Sequence, residues 1–273
     1  MATEFDTDTA LRDLGDGHFE GAVTDRWMIG GGPNGGYIAS ILLRGLMAVS
    51  PQPDPLSMTT HYVGRPEQGP CQVSIAVSHS TRSHAFMDAA LVQHGTVRAR
   101  SIAVFGRRRD DQPYDVDLKT PAVTPPGVGV PVREVPLSES MPLMSFIERF
   151  TYRAPNSADP FAGNGAHAVV GGWTRLNDRD LDTVAVPLFT DCWPPPIFMR
   201  RGPGLAPTIE LTIHFRNNPE PGWVWCQFQS RVLAGGYVEE DGEIWSERGN
   251  VLAMSRQISR FTAAPAPPSA SAS

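Results

Sequence analysis

Between Tyr37 and Ala48 the chain is apolar at nearly every position, broken only by Ser40, Arg44 and Gly45. Ser40 and Arg44 stand one helical turn apart, so the pattern predicts a helix buried all round except for one narrow polar stripe. Ser50 and Pro51 close it, because proline cannot continue a helix. From Cys71 to His79 the period changes to two. Val73, Ile75 and Val77 face one way and Gln72, Ser74 and Ser78 the other, which predicts a strand with one buried face. Ala85–Gln93 and Thr96–Phe105 read as two further strands, joined as a hairpin at His94-Gly95.

This order of elements occurs twice. PLSMTTHYVGRPEQGPCQV in the first half is answered by TIELTIHFRNNPEPGWVWC in the second. His61, Tyr62, Pro66, Glu67 and Gly69 match His214, Phe215, Pro219, Glu220 and Gly222 at one offset of 153 residues. The copies end alike, in IAVF at 102–105 and ISRF at 258–261. Duplication explains both the shared letters and the shared order. A central helix followed by antiparallel strands is a sheet wrapped around one helix, so each copy predicts a hotdog and the chain an α+β double hotdog. The expected organisation is a first hotdog over 1–110, a proline-rich linker over 111–142, a second hotdog over 143–262 and a disordered Pro/Ala/Ser tail over 263–273.

Composition narrows the function. A formal charge of -6 supplies no basic surface for nucleic acid. Three cysteines without metal spacing point to a reducing compartment, and the acidic, polar start MATEFDTDTA is no signal peptide. No stretch approaches the roughly 20 apolar residues that span a bilayer. A cytoplasmic protein is expected. It should associate through its sheet edges and faces as a homo-oligomer.

The glycine-rich GGGPNG at 30–35 satisfies G-x-G-x-x-G, yet the strands that follow its helix alternate as an antiparallel sheet does. A dinucleotide loop needs a parallel strand next. The glycines are therefore read as permitting close helix–sheet packing, with the Gly35 and Gly36 amides as candidate donors to a substrate oxyanion. No G-x-S-x-G and no HExxH is present.

GGPNGGY before an apolar helix, followed by HYVGRPE and a long strand, resembles the first half of TesB-like (type II) acyl-CoA thioesterases. The resemblance implies hydrolysis of an acyl-CoA to free acid and coenzyme A, with no metal or other cofactor. It also implies a site in the second hotdog made of an Asp, a Thr and a Gln that hold and activate water. Asp191 in LDTVAVPLFTDCWPPP, Thr208 in PTIELTIHF and Gln257 in VLAMSRQISRF stand at those places. Pro187, one turn before Asp191, departs from the pattern and is expected to kink that helix.

The residue types suit the chemistry. A carboxylate can take the proton of water, and a hydroxyl and an amide can orient it. A thiolate leaves readily, so no strong acid is needed. At an offset of 153 the first copy carries Ile38 and Pro55 where the second has Asp191 and Thr208, and Ser101 or Ala103 where it has Gln257. One active site per pair of hotdogs follows. Singly, each of the three residues reads equally well as a helix-end or strand residue. Two other readings stay open: a non-catalytic acyl-thioester binding protein, which would release no thiol, and an enoyl-thioester hydratase, whose Asp/His pair has no clear counterpart here.

Overall fold

The computed structural model describes residues 2–109, 111, 114–118, 121, 125–131, 145–156 and 159–264. Two short elements, α1 (Glu4–Asp8) and the hairpin β1 (Arg12–Gly15) and β2 (His18–Val23), lead into the long helix α2 (Gly35–Val49). Its start lies two residues before the expected Tyr37, because the Asn34 side chain caps it by accepting from the Tyr37 N–H at 2.9 Å. Ile38, Ile41, Leu42, Leu43 and Leu46 are all buried. The polar stripe is accounted for: Ser40 Oγ donates to the Gly36 carbonyl at 2.9 Å, and Arg44 Nη2 donates to Thr9 Oγ1 at 2.8 Å.

The strands are β3 (Asp54–Tyr62), β4 (Gly69–Ser80), β5 (Ala85–Gln93), β6 (Thr96–Gly106), β7 (Phe150–Ala154) and β8 (Ala168–Leu176). After two short helices, α3 (Val186–Phe189) and α4 (Ile197–Arg201), come β9 (Thr208–Phe215), β10 (Val224–Ser230), β11 (Tyr237–Ser246) and β12 (Val251–Arg260). They form one continuous sheet in the order β1-β2-β4-β5-β6-β3-β9-β12-β11-β10-β8-β7. Read outward from β3 and β9, the two halves have the same order, which is the double hotdog.

The seam shows how the halves relate. β3 and β9 pair antiparallel, with Thr59 opposite Thr212 and their hydroxyls hydrogen-bonded at 2.8 Å. These residues are 153 apart, the repeat offset, so the local twofold axis passes between them. The halves even share an irregularity. The ladder slips between Pro55 and Ser57 in one and between Thr208 and Glu210 in the other, again at that offset. One apolar cluster crosses the seam, from Trp27, Leu42 and Leu46 to Leu188, Phe189 and Ile213.

Three expectations change. The segment around Pro187 is not one kinked helix. A 3-10 turn, Thr183–Ala185, leads into the four-residue α3, with Pro187 in its first turn, where no helical hydrogen bond is lost. Within the expected linker, Val130–Pro131 pairs with the edge strand β7, and Val116 and Leu118 pack on the outer-face cluster of Trp173, Trp225 and Trp245. Thr262 and Ala263 pair with Leu205 and Gly204, so the expected tail begins as ordered chain; 265–273 lie outside the described residues.

α2 and α3 meet where Gly36 faces Pro187. A Cβ at Gly36 would stand 2.3 Å from the Pro187 carbonyl oxygen, a backbone atom that cannot step aside. Gly36→Ala should therefore destabilise the fold by about 1–3 kcal/mol, read as a lowered midpoint in urea denaturation. An unchanged midpoint would show that this contact is loose.

Candidate active site

Asp191 follows α3 and sits against the N-terminus of α2, an element of the other half. Its Oδ2 accepts from Asn34 Nδ2 at 2.9 Å and from the Gly36 N–H at 3.0 Å, and Asn34 Nδ2 also donates to its main-chain oxygen at 2.8 Å. The Gly35 amide and the Gln257 side chain complete the set of donors. A helix N-terminus is the favourable place for an anion, because its free N–H groups and its dipole both point there.

This corrects the role expected for Gly35 and Gly36. Their amides are taken up by Asp191, and so hold a catalytic candidate instead of facing a substrate oxyanion. Their lack of a side chain is still essential: a Cβ at Gly35 would lie 3.0 Å from both Asp191 Oδ2 and the Tyr62 hydroxyl.

Thr208 stands at the slip that starts β9, a place where an irregular ladder re-aims a side chain. Its hydroxyl donates to Gln257 Oε1 at 2.8 Å. Gln257, 5% exposed, lies on the inner face of β12, opposite Leu211 on one side and Glu240 on the other. With its oxygen engaged by Thr208, the amide nitrogen faces acceptors, donating to Glu240 Oε1 at 2.7 Å. The structure thus brings Asp191, Thr208 and Gln257 into one network. The first-copy residue opposite Met58, as Gln257 is opposite Leu211, is Ala103, which decides between the two candidates left open by the sequence.

Sequence reasoning missed three members of this cluster. Asn34 holds a carboxylate 157 residues away, a contact that no local pattern signals. The Tyr62 hydroxyl donates to the Gly35 carbonyl at 2.8 Å. Glu240, 7% exposed, occupies an inward position of β11 between Val238 and Gly242. A carboxyl in the inward register of YVEEDGEIW was the signal that could have found it.

Burial dominates the electrostatics. It pushes the Asp191 carboxyl up to about 6, against the opposing hydrogen bonds from Gly36, Gly35, Gln257 and Asn34. It pushes Glu240 up to about 8, opposed by Gln257 and reinforced by the charges of Asp191 and Asp241. Near neutrality the pair therefore holds one carboxylate, on Asp191, and one neutral acid, on Glu240. Burial, with Asp191 next, also holds Tyr62 well above its ordinary value, so its hydroxyl stays protonated. Among the described residues no group of three or more His, Cys, Asp or Glu is placed to hold a metal, and no helix is long and apolar enough to cross a membrane.

Other sequence features have structural partners. The Arg108 N–H donates to Asp54 Oδ2 at 2.7 Å and its Nη1 to the Pro55 carbonyl at 2.9 Å, while Arg109 pairs with Asp111. His61 and His214 are both exposed, on the outer face beside the seam.

Against known proteins, residues 23–106 match the family model of the acyl-CoA thioesterase N-terminal domain and residues 124–261 that of the C-terminal domain. The chain belongs to the acyl-CoA thioesterase family, in its TesB-like form. Its fold is that of several solved structures. A protein from Thermobifida fusca YX described as a thioesterase II is 24% identical with a TM-score of 0.85, over 95% of this chain and 98% of that one. A hot dog fold protein of unknown function from Alicyclobacillus acidocaldarius is 23% identical with a TM-score of 0.86, over 97% and 100%. The acyl-CoA thioesterase II TesB2 from Mycobacterium marinum is 17% identical with a TM-score of 0.73, over 95% and 98%. Among curated proteins nothing matches the chain significantly.

The raised Asp191 value has a consequence for stability. Between about pH 4 and 6 the folded protein takes up a proton that the unfolded chain has released, so this contribution is full at low pH and lost as pH rises through 6. Asp191→Asn, neutral throughout, should gain on the order of 2–3 kcal/mol over the wild type at pH 8 and nothing at pH 3.5. Urea denaturation at the two pH values measures it, and equal effects at both would refute the assignment.

Proposed function

We propose that this protein hydrolyses coenzyme A thioesters of carboxylic acids, using water activated by Asp191. The observation that carries the reading is the Asp191–Gln257–Thr208 network, with its carboxylate poised near neutrality, on a chain of the acyl-CoA thioesterase family.

The donor directions assign the parts. Thr208 gives its proton to Gln257 Oε1, which leaves the Thr208 oxygen lone pairs as acceptors. A water between Thr208 and Asp191 donates one hydrogen to each and turns a lone pair toward the thioester carbon. As the O–C bond forms, Asp191 takes the water proton. The tetrahedral intermediate collapses, the C–S bond breaks, and Asp191 returns the proton to the thiolate. The acid and coenzyme A thiol leave, and Asp191 is again a carboxylate.

Gln257 works through direction. A free carboxamide can rotate by half a turn and present its oxygen to Asp191, which repels it. Two simultaneous partners, Thr208 on the oxygen and Glu240 on the nitrogen, forbid that flip. A neutral Glu240 accepts the amide proton without setting a second negative charge beside the base.

Release of free thiol from a series of acyl-CoA chain lengths, followed with a thiol reagent, tests the activity directly. A protein that binds these substrates but frees no thiol would overturn it. kcat/KM should rise with pH to a plateau, with an apparent pKa near 6 set by Asp191. Asp191→Asn should lower kcat by about 10²–10⁴-fold, the usual range for a lost general base. Glu240→Gln retains an acceptor oxygen and should retain most activity, whereas Glu240→Ala should lose roughly tenfold or more in kcat through misdirection of the amide. If the alanine variant turns over normally, Gln257 needs no such clamp.

A further inference from the structure

A cavity lies where α4 meets the end of β10. It encloses about 230 Å³ and is lined by Arg200 and Arg201 of α4, by Ile197 below them, and by Ser230 and Arg231 at the end of β10. Ser230 is 6% exposed, and its hydroxyl has no hydrogen-bond partner among the described residues. A buried hydroxyl without a partner is unusual, since leaving one unpaired costs free energy. One on a cavity wall is a donor waiting for a ligand.

The charges give the ligand its sign. Arg231 pairs with Asp241 and lies 3.7 Å from Glu239, and Asp241 is already shared with Arg256. Arg200 and Arg201, both exposed, form no ion pair among the described residues. The cavity therefore carries a surplus of positive charge on a protein whose overall charge is -6. Guanidinium groups present planar forks of N–H donors that match phosphate oxygens two at a time.

Its place on the sheet is equally specific. Gln229 of β10 faces Asp241, Ser230 follows it on the inner face of β10, and Glu240, on the inner face of the neighbouring β11, faces Gln257. Ser230, Glu240 and Gln257 form one inner-face row across three neighbouring strands. The cavity wall is thus two strand spacings, roughly 10 Å, from the amide of the water site. A coenzyme A thioester has a reactive carbonyl at one end and phosphates at the other, on a flexible pantetheine arm whose extended length exceeds this spacing, so the arm reaches the cavity when it bends.

We propose that this cavity binds the phosphate-bearing end of the coenzyme A thioester, with Arg200 and Arg201 on the phosphate oxygens and Ser230 as a neutral donor. The proposal rests on the hydrolase reading and locates the part of the substrate distant from the chemistry.

The test compares an acyl-CoA with the same acyl group on N-acetylcysteamine, which keeps the thioester but has no phosphate. In Arg200→Ala/Arg201→Ala the KM for acyl-CoA should rise about tenfold, equivalent to about 1.4 kcal/mol, with kcat within twofold. The KM for the truncated thioester should not rise. Arg200→Glu/Arg201→Glu should raise the acyl-CoA KM further, and added salt should raise it in the wild type more than in either variant. An unchanged acyl-CoA KM, or an equal rise for both substrates, would overturn the assignment. If the wild type frees no thiol from either substrate, the hydrolase reading fails on its own. Calorimetric binding of coenzyme A to wild type and to Arg200→Ala/Arg201→Ala then decides the cavity: weakening of about tenfold supports it, equal affinity overturns it.

Discussion

The seating of one carboxylate, Asp191, on the N-terminus of a helix from the other half of the molecule is the contact around which the rest is arranged. It requires glycine at 35 and 36, because any side chain there would strike Asp191, Tyr62 or the Pro187 backbone. It requires Asn34, which caps α2 with its oxygen and grips Asp191 with its nitrogen. It also requires α3 to end at Phe189, so that the chain can turn the carboxyl inward. A glycine-rich motif that invites comparison with a phosphate loop is thus used for the same physical property, affinity for an anion, with the anion supplied by the protein.

The same seat accounts for the proton affinity that the proposed role of Asp191 as a base requires. Burial raises its proton affinity. The donors of α2, Asn34 and Gln257 pull it back to about 6, between the ordinary carboxylate value and that of Glu240. Two acids joined by one amide, held apart in proton affinity by unequal numbers of donors, divide the roles of charge and clamp. Glu240 has fewer hydrogen bonds to its charged form and lies beside Asp241, so it remains the neutral partner.

Duplication supplied the frame, and its symmetry is broken at the candidate site. Both halves retain the strand order and the slip at Pro55 and Thr208. At that slip one half has a proline, which offers no hydroxyl, and the other a threonine. Opposite the equivalent core positions one has Ala103 and the other Gln257. The first half instead contributes α2, whose 15 residues dwarf the four of α3. One half provides the anion seat and the other the anion, so the candidate site is composite and lies at the junction.

Much of this could be read from the linear order of residues. The buried helix, the hairpin, the repeat offset and the three residues now joined in one network followed from periodicity, spacing and family resemblance, because those patterns reflect local packing demands that every residue meets with its near neighbours. The partners of those residues could not be read that way. Asn34 and Asp191 lie 157 positions apart, and Gln257 and Glu240 meet only because β11 and β12 pair in one register. Whether the Gly36 amide faces a substrate or a carboxylate, and whether a glutamate in a strand is a solvated surface group or a clamp, depends on which elements are brought together. That choice is made by the burial of a shared core across the seam, a property of the folded chain as a whole.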